Sequence, residues 1–230
     1  MKTILITGSN SGLGLKFSEF YAGRSGFKTL LFYHDLKDNL GPFLEKQYTT
    51  IHKYDFTKSI DIKIDEVDFI IHCASIPPNF KKIQSLTSED TALVGNFISG
   101  QTHFFKQIAP KINNGGKVVF ILSQIVSGIP PSRMSSYAIT KYATLGLMMC
   151  MAVELKDRKI NVNSISPGMM DSKMTNLYPE KLVEITKEKY MNKTLISATE
   201  IIDLASFLFS ESANNITGQN VVVSAGGFLG

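Results

Sequence analysis

The sequence has little cysteine and no motif that would use it. Cys73 and Cys150 are the two cysteines in 230 residues, and both lie in apolar segments without CxxC or His-Cys ligand spacing. Disulfide frameworks and zinc sites need sulfur ligands in larger number or at closer spacing. We therefore expect two reduced core cysteines, no metal site, and a reducing, cytoplasmic location.

The chain also lacks a long apolar run and a strong excess of charge. Met1-Lys2 leads directly into the short apolar stretch 3–7, which is too brief for a signal peptide, and no apolar run approaches membrane-spanning length. The formal net charge is +4, and the basic residues are scattered along the chain. We expect neither a membrane nor a nucleic-acid partner, because each requires a concentrated apolar or basic surface.

No repeat, low-complexity tract or linker divides the chain, so we expect one domain over residues 1–230. Short apolar runs alternate with segments of helical pattern, which is typical of an α/β fold with a doubly wound parallel sheet. The predicted strands are 3–7, 29–33, 51–54, 67–72, 117–123, 160–166 and 218–223. The predicted helices are 15–21, 88–108, a long segment from Tyr137, 179–191 and 198–209.

A glycine-rich turn joins the first predicted strand to the first predicted helix. Glycines allow the backbone to approach a pyrophosphate closely, and the amino terminus of a helix supplies free N–H groups and partial positive charge. The spacing differs from the general Gly-x-Gly-x-x-Gly fingerprint, but the position between strand and helix indicates a dinucleotide-binding turn. Its residues are Gly8, Ser9, Asn10, Ser11, Gly12, Leu13 and Gly14.

The second predicted strand ends at Tyr33-His34-Asp35, where a dinucleotide fold distinguishes its two cofactors. A carboxylate at the strand tip would bind the free 2′-hydroxyl of NAD, whereas nearby cations would bind the 2′-phosphate of NADP. His34, Lys16 and Lys37 favour NADP(H), while Asp35 keeps NAD(H) as an alternative. A further alternative is that these are solvated loop residues.

Other predicted strands end at the same edge of the sheet, where ligands bind in open α/β folds. Asp55 would meet the adenine, and small residues after the fourth strand would let the backbone pack against the cofactor. Residues 179–191 suit a substrate lid, with a plain solvated helix as the alternative. The cofactor-binding residues that we assign at this edge are Asp55, Phe56, Cys73, Ala74, Ser75, Pro167, Gly168, Met170 and Ser172.

Ser123 ends the fifth predicted strand, and Tyr137 precedes Lys141 by four positions. If that segment is a helix, the phenol and the ammonium lie on one face, one turn apart. The cation, helped by an oxidised nicotinamide ring, would bring the tyrosine pKa down from about 10 into a useful range. Ser123 would hold the reacting oxygen, so the trio predicts carbonyl/alcohol redox chemistry. For Tyr137 and Lys141 alone, the alternative is an ordinary surface pair.

Together these motifs resemble the short-chain dehydrogenase/reductase family, and most closely its 3-oxoacyl-[acyl-carrier-protein] reductase branch. The resemblance implies a single-domain Rossmann fold, with a seven-stranded parallel sheet and helices on both faces, and an NAD(P)(H)-dependent enzyme that reduces a ketone. The matching positions span nearly the whole chain: Thr7-Gly8-x-x-x-Gly12-x-Gly14, Asp55, Asn96, Ser123, Tyr137-x-x-x-Lys141, Pro167-Gly168 and Ile216-Thr217-Gly218-Gln219.

The same resemblance implies a role for each member of the site. Tyr137 would be the acid-base residue, Ser123 would position the carbonyl, and Lys141 would hold the nicotinamide ribose and lower the tyrosine pKa. Asn96 would support a proton-relay water. The residues that would line the nicotinamide side are Ile165, Pro167 and Ser172.

Three features depart from the family pattern. His72-Cys73-Ala74-Ser75 replaces the usual Asn-Asn-Ala-Gly, which alters a common cofactor contact. The loop from Ser123 to Tyr137 is one residue longer than usual and contains Pro130-Pro131. Of two basic residues that dock an acyl carrier in this branch, Arg158 is present and Asn114 replaces the other. We therefore expect a small carbonyl or alcohol substrate and leave a carrier-linked form open.

Two other functions stay open beside ketone reduction. One is a dehydrogenase that acts on a sugar derivative or a specialised metabolite. The other is a non-catalytic nucleotide-binding sensor that regulates a partner protein. Such sensors typically lose the tyrosine or the lysine, whereas this chain keeps both.

The helical segment after Lys141 is apolar around more than one stripe, which predicts contact with a second protomer. In the family that the chain resembles, this helix and the Asn96 helix pair across a two-fold axis, and the carboxyl-terminal segment joins a second interface. We expect a homotetramer or a homodimer, with simple burial of both helices against the sheet as the alternative. The residues concerned are Leu145, Leu147, Met148, Met149, Met151, Ala152, Val153, Leu155, Phe97, Phe104, Phe105, Gly226, Gly227, Phe228 and Leu229.

Overall fold

A computed structural model describes residues 1–35, 38–58, 61–172 and 174–227 of the chain. Within these ranges strands alternate with α-helices as the pattern predicts, except that the described residues form no α-helix between the second and third strands or between the third and fourth. The strands are β1 (Lys2–Thr7), β2 (Phe27–Tyr33), β3 (Thr49–Lys53), β4 (Val67–His72), β5 (Ile112–Ile121), β6 (Asn161–Pro167) and β7 (Asn220–Val223). The helices are α1 (Gly12–Tyr21), α2 (Ser88–Ile108), α3 (Ser135–Glu154), α4 (Glu180–Lys189) and α5 (Ala198–Phe209).

The seven strands form one sheet in the order β3-β2-β1-β4-β5-β6-β7. Every neighbouring pair is parallel, so the predicted doubly wound Rossmann fold is confirmed. The strand order reverses between β1 and β4, where Thr7 pairs with His72 on one side and with Phe32 on the other. A crevice opens at such a reversal, outside the carboxyl ends of the strands, and ligands bind there.

Helices cover both faces of the sheet, which explains why its central strands are apolar at successive positions. Leu5 of β1 points into a core shared with Phe104 of α2 and Met148 of α3. Its neighbours Ile4 and Ile6 point into the opposite core. Because each large apolar side chain buried in these cores contributes roughly 1.5–3 kcal/mol, both layers stabilise the edge that carries the site.

Two helices have the bounds that the pattern predicts, because their ends are capped. Thr87 and Asp90 form a capping box at the start of α2, and Ser197 and Glu200 form one at the start of α5. Other bounds differ from the prediction. β5 ends at Ile121, two residues before Ser123, and α1 begins at Gly12, so the last two glycines of the turn belong to the helix.

The outer face of α3 corrects two expectations. Cys150 is exposed and Cys73 is half-buried, so the predicted core position is wrong for Cys150, although both cysteines are unpaired. The apolar residues predicted to form protomer contacts divide between faces. Met148 is 0% exposed, whereas its neighbour Met149 is 53% exposed. Consecutive helix residues differ by about 100° in direction, which separates this pair.

The phenylalanines of α2 are core residues and not an outer surface. Phe97, Phe104 and Phe105 are all buried against the sheet, so the second apolar surface expected on this helix is not formed by them. Leu93 on α2 remains exposed, as do Ile139 and Val153 on α3. Phe228 and Leu229, which we expect at a second interface, lie outside the described residues. No helix in the described part of the chain has the length and apolar character needed to cross a bilayer.

Candidate active site

The predicted glycine turn forms a tight cradle at the carboxyl end of β1, which we call the cofactor cradle (Gly8–Gly14 with Ala74). Gly8 has a φ of +63°, and a Cβ atom there would lie 3.0 Å from the backbone nitrogen of Ala74. A Cβ atom at Gly14 would overlap the carbonyl oxygen of Gly8. Glycine is therefore required at both positions, once for backbone direction and once for space.

The amino terminus of α1 lacks the capping box that α2 and α5 have. Ser11 occupies the cap position without a side-chain hydrogen bond, and the first turn carries no acidic residue. The first N–H groups of a helix have no partner within the helix, and they attract anions. Gly12 has a φ of +51°, and a Cβ atom there would face open space. These features fit the pyrophosphate of a dinucleotide.

Other residues of the turn hold the cradle in place. The Ser9 hydroxyl donates to the carbonyl oxygen of Phe32 over 2.9 Å, so it secures the turn to β2 and faces inward. The Ser18 hydroxyl donates to the carbonyl oxygen of Ser9 over 3.0 Å. Asn10 donates through its side chain to the carbonyl oxygen of Asp35. The turn is therefore fixed to the tip of β2, where the cofactor's ribose would lie, while Leu13 is half-buried behind it.

Thr7 fixes the start of the β4 turn to the end of β1. Its hydroxyl oxygen accepts hydrogen bonds from the backbone nitrogens of Cys73 and Ala74, both over 3.1 Å. Because both lone pairs are used, the hydroxyl hydrogen goes to Nδ1 of His72, which lies 2.9 Å away. Burial lowers the pKa of His72 to about 3, so the ring is neutral with its proton on Nε2. The departure from Asn-Asn-Ala-Gly thus keeps the turn ordered.

The two other small-turn residues are close by. Burial raises the pKa of the Cys73 thiol to about 12, so this cysteine is a thiol at neutral pH. The Ser75 hydroxyl donates to the carbonyl oxygen of Ile76 over 3.1 Å. Neither side chain therefore carries a charge that could bind a cofactor. The backbone of this turn would make the contact with the cofactor instead.

The tip of β2 places His34 next to Asp55. Nε2 of His34 lies 3.4 Å from one Asp55 oxygen, and Nζ of Lys58 lies 3.5 Å from the other. Burial acts to raise the pKa of Asp55, but hydrogen bonds from the side chain and backbone of Thr57, with the nearby His34 and Lys58, leave it lowered. Asp55 is thus an ionised anchor for this corner.

The remaining ribose-side predictions are brought together only in part. Lys16 pairs with Glu19 over 2.8 Å, on the exposed side of α1. Tyr33 is half-buried and Asp35 is exposed, so the carboxylate that would favour NAD is available to solvent. Lys37 lies outside the described residues.

Phe56, assigned with Asp55 to the adenine side, is a core residue beneath it. Its ring packs edge-on against Tyr54, with centroids 4.7 Å apart. A Cβ atom at Gly100 of α2 would overlap the Phe56 carbonyl oxygen, so the helix and this turn are in close backbone contact. The backbone of this turn, rather than the Phe56 ring, faces the cradle side.

The predicted catalytic trio is assembled at the ends of β5 and α3. Tyr137 and Lys141 lie one turn apart on α3, and Nζ of Lys141 is 5.6 Å from the centroid of the Tyr137 ring. Nζ also donates to the carbonyl oxygen of Ile121 over 2.9 Å. Ser123 follows the strand in an extended conformation, and its oxygen accepts a weak bond from the nitrogen of Ile125 over 3.4 Å. Because Tyr137 and Lys141 are both buried, they are not an ordinary surface pair.

The pKa values of the trio differ from the sequence-based expectation. Burial raises the pKa of Tyr137 to about 12, although a hydrogen bond with Ser123 opposes this effect. Burial also lowers the pKa of Lys141 to about 8. In the environment that the chain itself provides, Tyr137 is therefore protonated at neutral pH. Lys141 is charged at neutral pH but loses its charge at mildly alkaline pH. The expected lowering of the tyrosine pKa by the lysine is not seen, and burial has the largest effect on this pKa.

Asn96 is the member of the predicted site whose role the structure leaves as a prediction. Its side chain is exposed on the flank of α2, while Gln101 of the same helix receives a bond from Thr144 of α3 over 3.0 Å. The inward position next to Asn96 is occupied by Phe97, which is 4% exposed. A phenyl ring can neither donate to nor accept from a relay water, so α2 contributes apolar surface at this point.

The segment after β6 is held by a tyrosine that the sequence pattern does not single out. Tyr190, which follows α4, is 2% exposed, and its oxygen accepts a hydrogen bond from the nitrogen of Met169 over 2.6 Å. A Cβ atom at Gly168 would overlap this hydroxyl, and one at Gly227 would overlap the ring. Gly168 and Gly227 therefore both lack a side chain where the Tyr190 ring packs. Only the tertiary structure reveals this packing requirement.

The remaining nicotinamide-side residues belong to the same segment. Pro167 is buried at the end of β6, as is Ile165 within it. Met170 forms a parallel bridge with Ile196, and the Ser172 hydroxyl lies 3.3 Å from the hydroxyl of Thr175. Ile165 and Pro167 therefore lie on β6, which pairs with β5, and Met170 and Ser172 lie in the segment that follows β6. α4 itself buries none of its side chains, which agrees with either a lid or a solvated helix.

The two other departures from the family pattern have structural outcomes. Pro130-Pro131 lines an open cleft with Ile139 and Tyr142 of α3. The guanidinium of Arg158 donates to the side chain of Asn114 over 3.1 Å and to the carbonyl oxygen of Ala109 over 2.8 Å. It also bonds the carbonyl oxygen of Ile112. This arginine is therefore engaged in holding the start of β5.

Comparison with known protein families and structures agrees with this geometry. The family model described as enoyl-(acyl carrier protein) reductase matches residues 53–227. The human dehydrogenase/reductase SDR family member 4 is 32% identical over 165 residues, which are 70% of this chain and 59% of that protein. The chain thus spans less than two thirds of the length of this relative. A 3-oxoacyl-[acyl-carrier-protein] reductase of Staphylococcus epidermidis is 24% identical over 243 residues, with 99% of each chain covered.

Solved structures share the fold over the full chain. A Brucella melitensis short-chain dehydrogenase/reductase described as a glucose/ribitol dehydrogenase has a TM-score of 0.89 at 22% identity, covering 100% of this chain and 97% of that one. A 4-hydroxyisoleucine dehydrogenase complexed with NADH has a TM-score of 0.88 at 23% identity, covering 100% of both chains. At these identities the likeness concerns the fold.

Proposed function

Because the chain belongs to the short-chain dehydrogenase/reductase family, we propose that it is an NAD(P)(H)-dependent oxidoreductase that reduces a ketone to a secondary alcohol. The observation that supports this most directly is the trio of Ser123, Tyr137 and Lys141, in which the tyrosine and the lysine are buried. Ser123 hydrogen-bonds with Tyr137, and Lys141 reaches over the Tyr137 ring. The amino terminus of α1, which lacks a capping box, supports dinucleotide binding at the same edge of the sheet.

The bound nicotinamide would supply a hydride to the carbonyl carbon. As the carbon–oxygen π electrons move onto the oxygen, Tyr137 gives that oxygen its proton and Ser123 donates a hydrogen bond to it. Burial raises the pKa of Tyr137 to about 12, so the phenol carries the proton that this step requires. Lys141, when protonated, stabilises the tyrosinate that remains and binds the ribose hydroxyls.

We propose NADP(H) as the preferred cofactor, with NAD(H) as the alternative. The basic side chain at the tip of β2 is His34, which stands at the edge of the cradle beside Asp55. The opposing feature is Asp35, whose exposed carboxylate suits the free 2′-hydroxyl of NAD. Lys16 gives less support than the sequence suggested, because Glu19 neutralises it.

The proposed substrate is a free small ketone. Carrier docking would need a basic patch, but Arg158 is engaged with carbonyl oxygens and Asn114 is uncharged. A carrier-linked 3-oxoacyl thioester and a sugar derivative are the alternatives. A purely nucleotide-sensing role is disfavoured, because the trio keeps the arrangement that proton transfer requires.

We further propose a cytoplasmic homotetramer or homodimer. Two unpaired cysteines support the compartment. The apolar side chains exposed on one side of α3, including Ile139, Met149 and Val153, support self-association.

The experiment that tests this function is a substrate panel scored by NADPH consumption. Medium-chain ketones, 3-oxoacyl thioesters and keto-sugars would be compared on the wild type and on Tyr137→Phe, which keeps the ring but removes the transferable proton. We expect kcat on the best ketone to fall by about 10²–10⁴-fold in the variant, with unchanged cofactor affinity. Turnover that survives in Tyr137→Phe would remove the proposed acid-base role.

A further inference from the structure

We propose that Phe80, Met134 and Tyr178 form an apolar wall of the substrate site that selects ketones with an apolar substituent over polyhydroxylated ones. This inference rests on the proposed redox function and specifies its substrate class. The three residues come from separate segments: Phe80 lies between β4 and α2, Met134 caps α3, and Tyr178 follows the turn after β6. We refer to the three side chains as the apolar wall.

Tyr178 contacts both of the other side chains. The rings of Phe80 and Tyr178 pack edge to face, with centroids 5.1 Å apart and an interplanar angle of 87°. The Tyr178 hydroxyl points to the sulfur of Met134 at 4.0 Å. Edge-to-face contacts between two rings and contacts between a ring and a sulfur atom are both favourable. The wall therefore joins the segment after β6 to the segment before α2.

The apolar wall lies next to the acid-base tyrosine. Met134 is one turn before Tyr137, and its carbonyl oxygen accepts the backbone N–H of Ala138 over 2.8 Å. Met134 and Tyr137 belong to one buried cluster, against which Phe80 and Tyr178 pack. A substituent on a carbonyl held at Tyr137 would therefore contact these groups.

The backbone of Phe80 is held in a conformation that its side chain disfavours. Its φ is +54°, a left-handed conformation that is unfavourable for a bulky residue. Neighbours on both sides hold it there. The Asn79 side chain donates to Ser136 over 3.1 Å and to Asp90 over 3.2 Å, and Lys81 pairs with Asp90 over 2.6 Å. Because Asn79 and Lys81 hold the strained backbone of Phe80 from both sides, we infer that the direction of the Phe80 ring is important at this site.

The chemistry of the wall defines what it accepts. Two aromatic rings and a thioether offer dispersion contacts but almost no hydrogen bonds, and the Tyr178 hydroxyl is turned to Met134. Hydroxyl groups of a sugar placed here would lose their hydrogen bonds to water without replacement, which is unfavourable. An alkyl or aryl substituent gains from the same burial. The wall therefore favours ketones with an apolar substituent.

The test measures binding in the absence of turnover. NADPH complexes of Tyr137→Phe would be titrated calorimetrically with a methyl ketone series of rising chain length and with a keto-sugar. We expect the longest ketone to bind at least 10-fold more tightly than the keto-sugar. Adding Phe80→Ala or Tyr178→Ala should reduce that preference about 10-fold, while Tyr178→Phe retains it, because the ring is kept.

The matched control is Leu177→Ala, next to Tyr178 but 57% exposed, which should leave the preference unchanged. Equal binding of ketone and keto-sugar would contradict the proposed selectivity of the apolar wall. A preference for the ketone that survives both alanine variants would contradict it as well. The redox function is judged separately by turnover in the wild type. If the preference is found but no ketone is reduced, the wall stands and the redox proposal falls. If ketones are reduced without the preference, the reverse holds.

Discussion

The cofactor cradle and the apolar wall lie at the same edge of the sheet, but different kinds of contact hold them. In the cradle, backbone meets backbone. Gly14 approaches the Gly8 carbonyl so closely that a Cβ atom would overlap it, and Gly8 packs on Ala74. In the wall, the side chain of Tyr178 meets those of Phe80 and Met134, and the three come from separate segments. The cradle depends on glycines that lack a side chain, whereas the wall depends on contacts between large side chains.

This difference indicates how each region responds to change. Backbone contacts leave no rotamer to adjust, so an added methyl group must move the chain itself. Side-chain contacts can repack, and methionine in particular adapts to altered neighbours. We expect the cradle to fail abruptly and the wall to change gradually, which suits a conserved type of cofactor and a variable type of substrate in one molecule.

The largest effect is expected from Gly14→Ala in the cradle. The added Cβ must displace either the Gly8 carbonyl or the start of α1, so we expect dinucleotide affinity to fall by about 100-fold or more. The unfolding free energy should fall by about 1–3 kcal/mol, as in other overpacked sites. Fluorescence titration of NADPH and urea denaturation measure the two quantities.

The matched control is Gly95→Ala in α2, where a Cβ atom would meet nothing within 4 Å. An exposed helical glycine replaced by alanine should gain about 0.5–1 kcal/mol of stability and leave cofactor affinity unchanged. If Gly14→Ala behaves like Gly95→Ala, then the cradle tolerates change as the wall does and the comparison fails.

The cradle and the catalytic trio could be predicted from the sequence because each depends on local spacing. A glycine turn between a strand and a helix has few functions, and Tyr137 and Lys141 are placed together by the helix repeat alone. The strand pattern was equally informative, since helices on both faces require apolar residues throughout. These features need no knowledge of which distant segments meet.

The rest could not be predicted because it depends on helix phase and on distant contacts. Asn96 and Phe97 differ by one residue and therefore by about 100° around α2, which leaves Asn96 exposed and Phe97 buried. Tyr190 fits between Gly168 and Gly227, and Phe80 meets Tyr178 across nearly half of the chain. No local pattern marks these residues, and burial that raises the Tyr137 pKa is likewise a property of the assembled fold.

Lys141, between the cradle and the wall, should make stability depend on pH. Its pKa is about 8 in the folded chain and 10.5 ordinarily, so between these values the unfolded chain binds more protons. Stability contributed by this residue therefore rises with pH in that window. Relative to Lys141→Met, the wild type should gain about 2 kcal/mol between pH 7.5 and 9.5, measured by urea denaturation.

This window lies below the range in which Tyr137 titrates, and Tyr137 is present in both proteins. A difference between wild type and Lys141→Met that stays constant from pH 7.5 to 9.5 would show that the lysine is well solvated. The packing around the trio would then be as loose as we expect for the apolar wall, and the contrast between a rigid cradle and an adaptable wall would not extend to the catalytic residues.

A smaller effect on cofactor affinity is expected at the edge of the cradle, where side chains and not the backbone would recognise the cofactor. We expect NADPH to bind about 10-fold more tightly than NADH, and the preference to weaken with added salt because the contact is partly exposed. His34→Ala should reduce NADPH affinity about 3- to 10-fold and leave NADH affinity unchanged. Lys16→Ala, already paired with Glu19, is the control without effect. Equal affinities for both cofactors would assign the site to Asp35 and NAD.

The smallest effect on the protomer is expected on the outer face of α3, outside both regions. Met149 is 53% exposed and its neighbour Met148 is 0% exposed, so the pair separates association from folding. Met149→Lys should change the unfolding free energy of the protomer by less than about 0.5 kcal/mol, yet lower the mass measured by light scattering at micromolar concentration, because a charge would be placed in the apolar contact. Met148→Lys should instead unfold the chain, since it buries an unpaired charge. A monomer mass for the wild type would remove the proposed assembly, and an unchanged oligomer for Met149→Lys would move the contact to another face.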